Sequence, residues 1–175
     1  MRSAVVESIV IGDVYEHGIP SALLMASARA FMRQRTALSG SIAEIVGDVN
    51  RQLTRDVEDT GRFITLFYLQ IDMEHRRLSW VRAGHEPALL FDSADDRFEE
   101  LAGEGIALGV DGRWQYAESQ HDDLDDGQII LLSTDGIWEA RNPQDRMFGR
   151  ETVSDIIRQH AQTSAAKIQD AILTE

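Results

Sequence analysis

Two strongly apolar runs lie far apart in the chain, and each ends in an acidic turn. Residues 9–14 read IVIGDV, and residues 129–136 read IILLSTDG. Runs rich in β-branched residues and ended by glycine are typical of buried strands. A carboxylate at the mouth of a buried strand is costly without a partner, whereas two of them brought together would offer oxygen ligands to a hard divalent cation. The sequence therefore predicts buried strands and a candidate cation site at Asp13 and Asp135.

The predicted elements come in the order of two helices, a run of strands and two further helices. Apolar spacing predicts helices over 21–36, 42–58, 150–160 and 164–174, of which the first is buried and the second is opened by a capping box at Ser41 and Glu44. Strands are predicted over 5–13, 63–72, 77–83, 87–92, 98–101, 106–110, 114–121 and 128–134, with hairpin turns around 74–75 and at 122–127. This order favours an α+β fold with helices packed on a largely antiparallel sheet.

Composition excludes several classes of function. The 175 residues carry a formal net charge of −13, so the surface repels phosphate backbones and we expect no nucleic-acid partner. The chain has no cysteine, which excludes disulfides, thiolate metal sites and cysteine nucleophiles. No apolar stretch approaches the roughly 18 residues that span a bilayer, and the first residues do not resemble a secretory signal. We therefore expect no membrane association and a cytoplasmic location.

Seven short motifs occur in order along nearly the whole chain. They read GDVYEHGIPSA at 12–22, NRQL at 50–53, FITLFY at 63–68, AGHEP at 83–87, GIALG at 105–109, TDGIWEARN at 134–142 and FG at 148–149. Each motif is weak alone, but the ordered set resembles the PPM-type metal-dependent protein phosphatases, in their SpoIIE/RsbU-like bacterial branch.

The resemblance implies a fold, a domain organisation and a mechanism. The fold would be an αββα sandwich, lacking outer strands at both ends, in a single domain over 1–175 that is truncated at both termini. The resemblance implies two Mn²⁺ or Mg²⁺ ions, with Asp13 bridging both, the Val14 backbone carbonyl as a further ligand, and Asp135 on one ion. A hydroxide held by these ions would hydrolyse a phosphoserine or phosphothreonine without a phosphoenzyme.

Other polar residues of the motifs are secondary candidates. His17, Gly136 and Glu139 are candidates for positions around the metal ligands. For His17 a structural role, hydrogen-bonding at the turn before the helix, is the better prediction, and Glu139 would equally cap local backbone. Structural roles are also the better prediction for His85 and for Asn50, which would satisfy a backbone group beside the apolar stripe of its helix. The acidic run at 122–126 is expected to face water.

The chain also departs from the family pattern. Members carry a first acidic strand before the Gly-Asp-Val turn and an Asp-Asp-x-Thr strand at the end, and neither is found in these residues. The chain would then be a trimmed form, a degenerate member, or one completed by another protomer in a homodimer. The first account is preferred for the parent protein, and weak or absent activity is expected of the isolated polypeptide. The first hypothesis is a serine/threonine phosphatase acting on a phosphorylated regulator of the anti-sigma-factor antagonist type. The alternative is a catalytically silent interaction module in a partner-switching pathway, and loss of Mn²⁺-dependent turnover in Asp13→Asn and Asp135→Asn would separate the two.

Overall fold

The computed structural model describes residues 6–58 and 60–174. The strands are β1 (Val6–Val14), β2 (Ile64–Asp72), β3 (Arg77–Ala83), β4 (Ala88–Asp92), β5 (Arg97–Leu101), β6 (Ser119–His121) and β7 (Ile129–Leu131). The helices are α1 (Ile19–Thr36), α2 (Ile42–Val57), α3 (Gly149–His160) and α4 (Ala165–Thr174). All pairs among these seven strands of the described residues are antiparallel, which confirms the α+β prediction. The contacts divide the chain into two compact units, Met1–Pro87 with Ala102–Leu124, and Ala88–Leu101 with Asp125–Glu175.

The first unit is a four-stranded sheet with two helices packed on it. The strand order is β1-β2-β3-β6, so β1 and β6 are the edges. Successive side chains of a strand point to opposite faces of the sheet. Every second side chain of β2 and β3 therefore packs against the apolar stripe of α2. The shared core of this layer contains Ile45, Val46, Val49, Leu53, Ile64, Leu66, Tyr68, Val81 and Ala83.

Helix α2 forms as the sequence predicts. The Ser41 hydroxyl accepts from the Glu44 N–H at 3.2 Å, and the Glu44 carboxylate accepts from the Ser41 N–H at 2.8 Å, so the capping box is complete. Helix α1 differs from the buried helix that we predicted. Only one side of it is buried, whereas Ile19 and Leu23 are 77% and 64% exposed. Its alanine-rich composition therefore reflects helix propensity rather than burial on all sides.

The second unit is a three-stranded sheet in the order β5-β4-β7, together with α3 and α4. Its core joins the strand residue Phe91 to Trp138 and to the apolar stripe of the two helices. That stripe consists of Val153, Ile157 and Ile168. The Arg150 guanidinium covers the outer side of Trp138, 5.0 Å from the ring centre.

Several predicted strands are shorter or differently paired. The turn at 122–127 does not close a hairpin, because β6 pairs with β3 and β7 pairs with β4, in different sheets. The Leu124 N–H donates to the Arg76 carbonyl, which holds the start of this turn to the first unit. The predicted strand at 106–110 is reduced to a single bridge between Leu108 and Ile64. Residue 5, predicted to begin the first strand, lies outside the described residues.

The first apolar run is less buried than its sequence predicts. Every residue of β1 is exposed or half-buried, with Ile9 and Val10 41% and 42% exposed. The reason is topological: β1 is an edge strand, and among the described residues it pairs with β2 alone. Strand β7 in the second run is half-buried throughout and ends at Leu131, before the Thr134-Asp135 turn.

Candidate active site

The Gly-Asp-Val turn is the last part of β1. Asp13 lies opposite Thr65 in the β1–β2 ladder, and its side chain is exposed. The Tyr15 N–H donates to the Phe63 carbonyl at 3.0 Å, and hydrogen-bonded pairs alternate along an antiparallel ladder. The Asp13–Thr65 pair is therefore bonded to β2, whereas the backbone groups of Val14 point away from β2.

The opposite strand shows the same alternation. Ile64, the register partner of Val14, exchanges two backbone hydrogen bonds with Leu108, at 3.0 and 2.8 Å. Its backbone groups therefore face the Leu108 segment, on the side of β2 away from β1. The Val14 carbonyl is left at the outer edge of the sheet, next to the exposed Asp13 carboxylate. These two oxygens are the kind of donors that a hard divalent cation takes.

The turn that follows is anchored at three places. The Tyr15 ring stacks on Phe63 with the ring centres 4.6 Å apart. The Glu16 carboxylate pairs with the Arg62 guanidinium at 3.3 Å. Glu16 and Gly18 have φ angles of 69° and 93°, so the chain reverses direction through left-handed conformations before α1. His17 is exposed on this turn.

A buried histidine reaches the Asp13 region through a threonine. His85 is 3% exposed, and its Nδ1 lies 2.8 Å from the Thr65 hydroxyl. That hydroxyl is in turn 3.5 Å from the Asp13 carbonyl oxygen. The structural role predicted for His85 is thus a contact with the strand opposite the Asp13 turn.

The Ala-Gly-His turn that carries His85 fits closely against the Gly-x-x-Leu-Gly loop. The Gly84 N–H donates to the Gly105 carbonyl at 3.1 Å, and the Arg82 guanidinium donates to the His85 carbonyl. Gly84 has a φ of 69°, and a Cβ there would lie 2.8 Å from the Ala107 backbone nitrogen. A Cβ on Gly105 would overlap the Arg82 carbonyl oxygen. Glycine is required at both positions because backbone approaches backbone.

Asn50 anchors the other end of the same loop. It is fully buried on α2, donates to the Asp111 carbonyl at 2.8 Å, and accepts from the Gly109 N–H at 2.9 Å. The prediction that Asn50 satisfies backbone groups is confirmed. The buried amide fixes a segment with no regular partner strand.

The Thr-Asp-Gly turn lies in the second unit. The Glu139 N–H donates to the Asp135 carbonyl at 2.9 Å, and the Trp138 side chain is buried in the core. Asp135, Gly136 and Glu139 are all exposed. Asn142, the last residue of the motif, accepts from two backbone N–H groups of its own loop at 3.0 Å. The motif thus combines an exposed carboxylate with a buried aromatic anchor.

The predicted ligands therefore lie on two separate units, Asp13 and Val14 on the first and Asp135 on the second. Their closeness in space stays a prediction. Within residues 6–58 and 60–174, no three acidic or histidine side chains form a group that could hold a metal ion. The donors that are present suit a hard cation in kind, and further ligands would come from water or another part of the protein.

Sequence reasoning missed Thr65 as a residue of the site. It was part of the FITLFY strand motif, but periodicity alone did not show which strand would lie opposite it. A register estimate for β1 and β2 would have placed Thr65 opposite Asp13.

Comparison with known proteins gives a family match over nearly the whole chain. The model of the family described as Stage II sporulation protein E (SpoIIE) matches residues 7–175. The phosphoserine phosphatase RsbU of Bacillus subtilis (strain 168) is 30% identical over 171 residues, which cover 95% of this chain and 50% of RsbU. This chain thus spans about half the length of that relative.

Solved structures show the same fold. The SiaA-PP2C domain of Pseudomonas aeruginosa superposes with a TM-score of 0.79 at 24% identity, over 97% of this chain and 70% of that one. RsbX in complex with magnesium gives a TM-score of 0.70 at 13% identity, over 99% of this chain and 75% of that one. The two antiparallel sheets with their helices therefore have the fold of the SiaA-PP2C domain. No helix within the described residues is both long and apolar enough to cross a bilayer.

Proposed function

The chain belongs to the SpoIIE family of PPM-type phosphatases, and from this premise we propose that it is a metal-dependent serine/threonine protein phosphatase. The observation that carries the proposal is the family match over residues 7–175, together with an exposed Asp13 carboxylate beside an outward-facing Val14 carbonyl. Both oxygens belong to the Gly-Asp-Val motif, and the two residues that carry them lie at neighbouring positions of the β1–β2 ladder.

We propose Asp13, the Val14 carbonyl and Asp135 as the ligands of two Mn²⁺ or Mg²⁺ ions. The donor set supports this, since all three are oxygens, and RsbX of the same fold is known in complex with magnesium. When bound, such cations supply an activated water and neutralise charge on the phosphoryl oxygens. The carboxylates alone would repel a phosphate group in a chain of net charge −13, so substrate binding requires the cations. His17, Gly136 and Glu139 stay candidates for positions around these ligands.

The substrate we propose is a phosphoserine or phosphothreonine protein of the anti-sigma-factor antagonist type. RsbU, which covers nearly all of this chain, is a phosphoserine phosphatase. A cytoplasmic location and a homodimer that shares strands across the open edge of β1 are parts of the same proposal. Light scattering of the purified chain would measure its oligomeric state directly.

The test is Mn²⁺-dependent hydrolysis of a phosphoserine protein by the wild type, Asp13→Asn and Asp135→Asn. We expect turnover to fall at least about 100-fold in both variants, because each loses a charged ligand. Asp126→Asn is the matched control, since it removes an exposed carboxylate from the 122–127 turn and should leave turnover unchanged. Equal turnover in the wild type and both ligand variants would refute the assignment.

A silent interaction module is the second candidate. It is favoured by the finding that the described residues assemble no group of three acidic or histidine side chains. No turnover at any Mn²⁺ concentration, with an intact circular dichroism spectrum, would support the module over the enzyme.

A further inference from the structure

Two successive contacts connect His85, in the turn after β3, to Thr65 on β2 and then to Asp13 on β1. His85 Nδ1 is 2.8 Å from Thr65 Oγ1, and Thr65 Oγ1 is 3.5 Å from the Asp13 carbonyl oxygen. That carbonyl belongs to the peptide group between Asp13 and Val14. This peptide group joins the residue that carries the carboxylate to the residue that carries the outward-facing carbonyl, so its orientation is one determinant of how the two oxygens are placed. The Asp13–Thr65 ladder pair already ties it to β2, and the Thr65 hydroxyl adds a second contact.

The hydrogen bonds of the threonine hydroxyl have one consistent direction. A hydroxyl carries a single proton, so Thr65 can donate to the Asp13 carbonyl only if it accepts from His85. His85 must then carry its proton on Nδ1. The chain of bonds runs from His85 N–H to Thr65 O–H to the Asp13 carbonyl, and each bond polarises the next.

Every member of this chain is held in place by other contacts. Thr65 is fixed opposite Asp13 by the register of β1 and β2, and a β-branched side chain in a strand has little rotamer freedom. His85 is buried, and Arg82 donates to its backbone carbonyl. Gly84 lies close to the Ala107 backbone, and its N–H donates to the Gly105 carbonyl, so the turn is tied to the neighbouring loop. The 3.5 Å contact is therefore held by rigid neighbours on both sides.

We infer that His85 and Thr65 are a positioning pair that orients the Asp13–Val14 peptide for cation binding. The inference rests on the proposed function, because it assigns a purpose to the pair only if this turn binds a cation. In this role the two side chains act through the Asp13–Val14 peptide and are not themselves ligands of the cation. Partners of this kind, which orient metal ligands, typically contribute 10- to 100-fold in metal affinity.

The decisive variants are Thr65→Val and Thr65→Ser. Valine keeps the branched shape but removes the hydroxyl, whereas serine keeps the hydroxyl. Thr54→Val is the matched control, because it removes a threonine hydroxyl that donates to the Asn50 carbonyl at 2.8 Å within α2. Thermal unfolding of each variant tests whether the fold is retained.

Two measurements on each variant are independent of turnover. The first is the ¹³C chemical shift of the Asp13 carbonyl without added metal, together with the imidazole ¹⁵N shifts of His85. The second is Mn²⁺ affinity by calorimetry. We expect Thr65→Val to move the Asp13 carbonyl shift and weaken Mn²⁺ binding roughly 10-fold or more, Thr65→Ser to restore both, and Thr54→Val to change neither.

Each result decides a separate claim. An unchanged carbonyl shift or an unchanged Mn²⁺ affinity in Thr65→Val overturns the positioning role while the proposed function stands. A proton on Nε2 alone of His85 overturns the direction of the chain. A wild type that neither binds Mn²⁺ nor hydrolyses phosphoserine refutes the proposed function, and the carbonyl shift then decides the hydrogen-bond chain by itself.

Discussion

Replacing Asn50 by leucine tests how strongly one buried amide holds the loop at 109–111. Leucine has the same branching at Cγ and a larger volume, so the substitution removes two hydrogen bonds without leaving a cavity. A net loss of about 1 kcal/mol per bond gives about 2 kcal/mol. The stranded Gly109 N–H and Asp111 carbonyl add desolvation penalties, so we expect a total loss of about 2–4 kcal/mol in the free energy of unfolding. For a chain of this size that lowers the melting temperature by roughly 5–15 °C.

The assay is urea unfolding of the wild type and Asn50→Leu, followed by circular dichroism. Gln52→Leu is the control, because Gln52 lies on the exposed side of the same helix and should change stability by less than about 0.5 kcal/mol. If Asn50→Leu were as stable as the control, the loop would not depend on this amide. The reasoning from its two hydrogen bonds would then be refuted.

Three further predictions concern local contacts. In thermal unfolding, Gly105→Ala should destabilise the chain by more than Gly127→Ala. A Cβ on residue 105 would overlap backbone atoms, whereas a Cβ on residue 127 would be in open space. The second variant therefore pays only the backbone strain of a φ of 91°, about 1 kcal/mol. Ser41→Ala should cost about 1 kcal/mol in urea unfolding because it breaks the capping box. The amide of Gln128 and then the Ala94 N–H lower the pKa of Asp92. The free energy of unfolding of Gln128→Met should therefore be lower than that of the wild type at neutral pH. This difference should become smaller as the pH falls below the ordinary aspartate pKa of about 3.9.

Each of these predictions has a contradicting result. Equal melting temperatures for the two glycine variants would show that the loop at 103–107 moves freely away from β3. A Ser41→Ala variant as stable as the wild type would show that solvent caps α2 equally well. A deficit in Gln128→Met that does not change between pH 7 and about pH 3 would show that Asp92 keeps its ordinary pKa.

Local patterns predicted the helices and the β2–β3 hairpin well. The capping box and apolar stripe of α2, and the short turn between β2 and β3, involve residues close in sequence, so spacing alone carries the information. The hairpin at 122–127 was wrong because a turn signal does not say which sheet each neighbouring strand joins. Burial of β1 was wrong for a similar reason, since an apolar run does not show whether a strand lies at the centre or at the edge of its sheet.

The sequence predicted the residues of the candidate site but not the residues that hold them in place. The motifs identified Asp13 and Asp135, and they flagged Asn50 and His85 as structural residues. The partners of those two side chains, Asp111 and Thr65, are distant in sequence, and only the folded register brings them together.

The outward-facing backbone of β1 has a consequence for amide exchange with deuterium. The N–H groups of Ser8, Val10, Gly12 and Val14 point away from β2, whereas those of the residues between them are bonded to it. Exchange along this strand should therefore alternate between fast and slow with a period of two residues. A further strand paired with the open edge of β1 would slow exchange only of the amides that point away from β2. The exchange rates would therefore show, residue by residue, where that edge is covered.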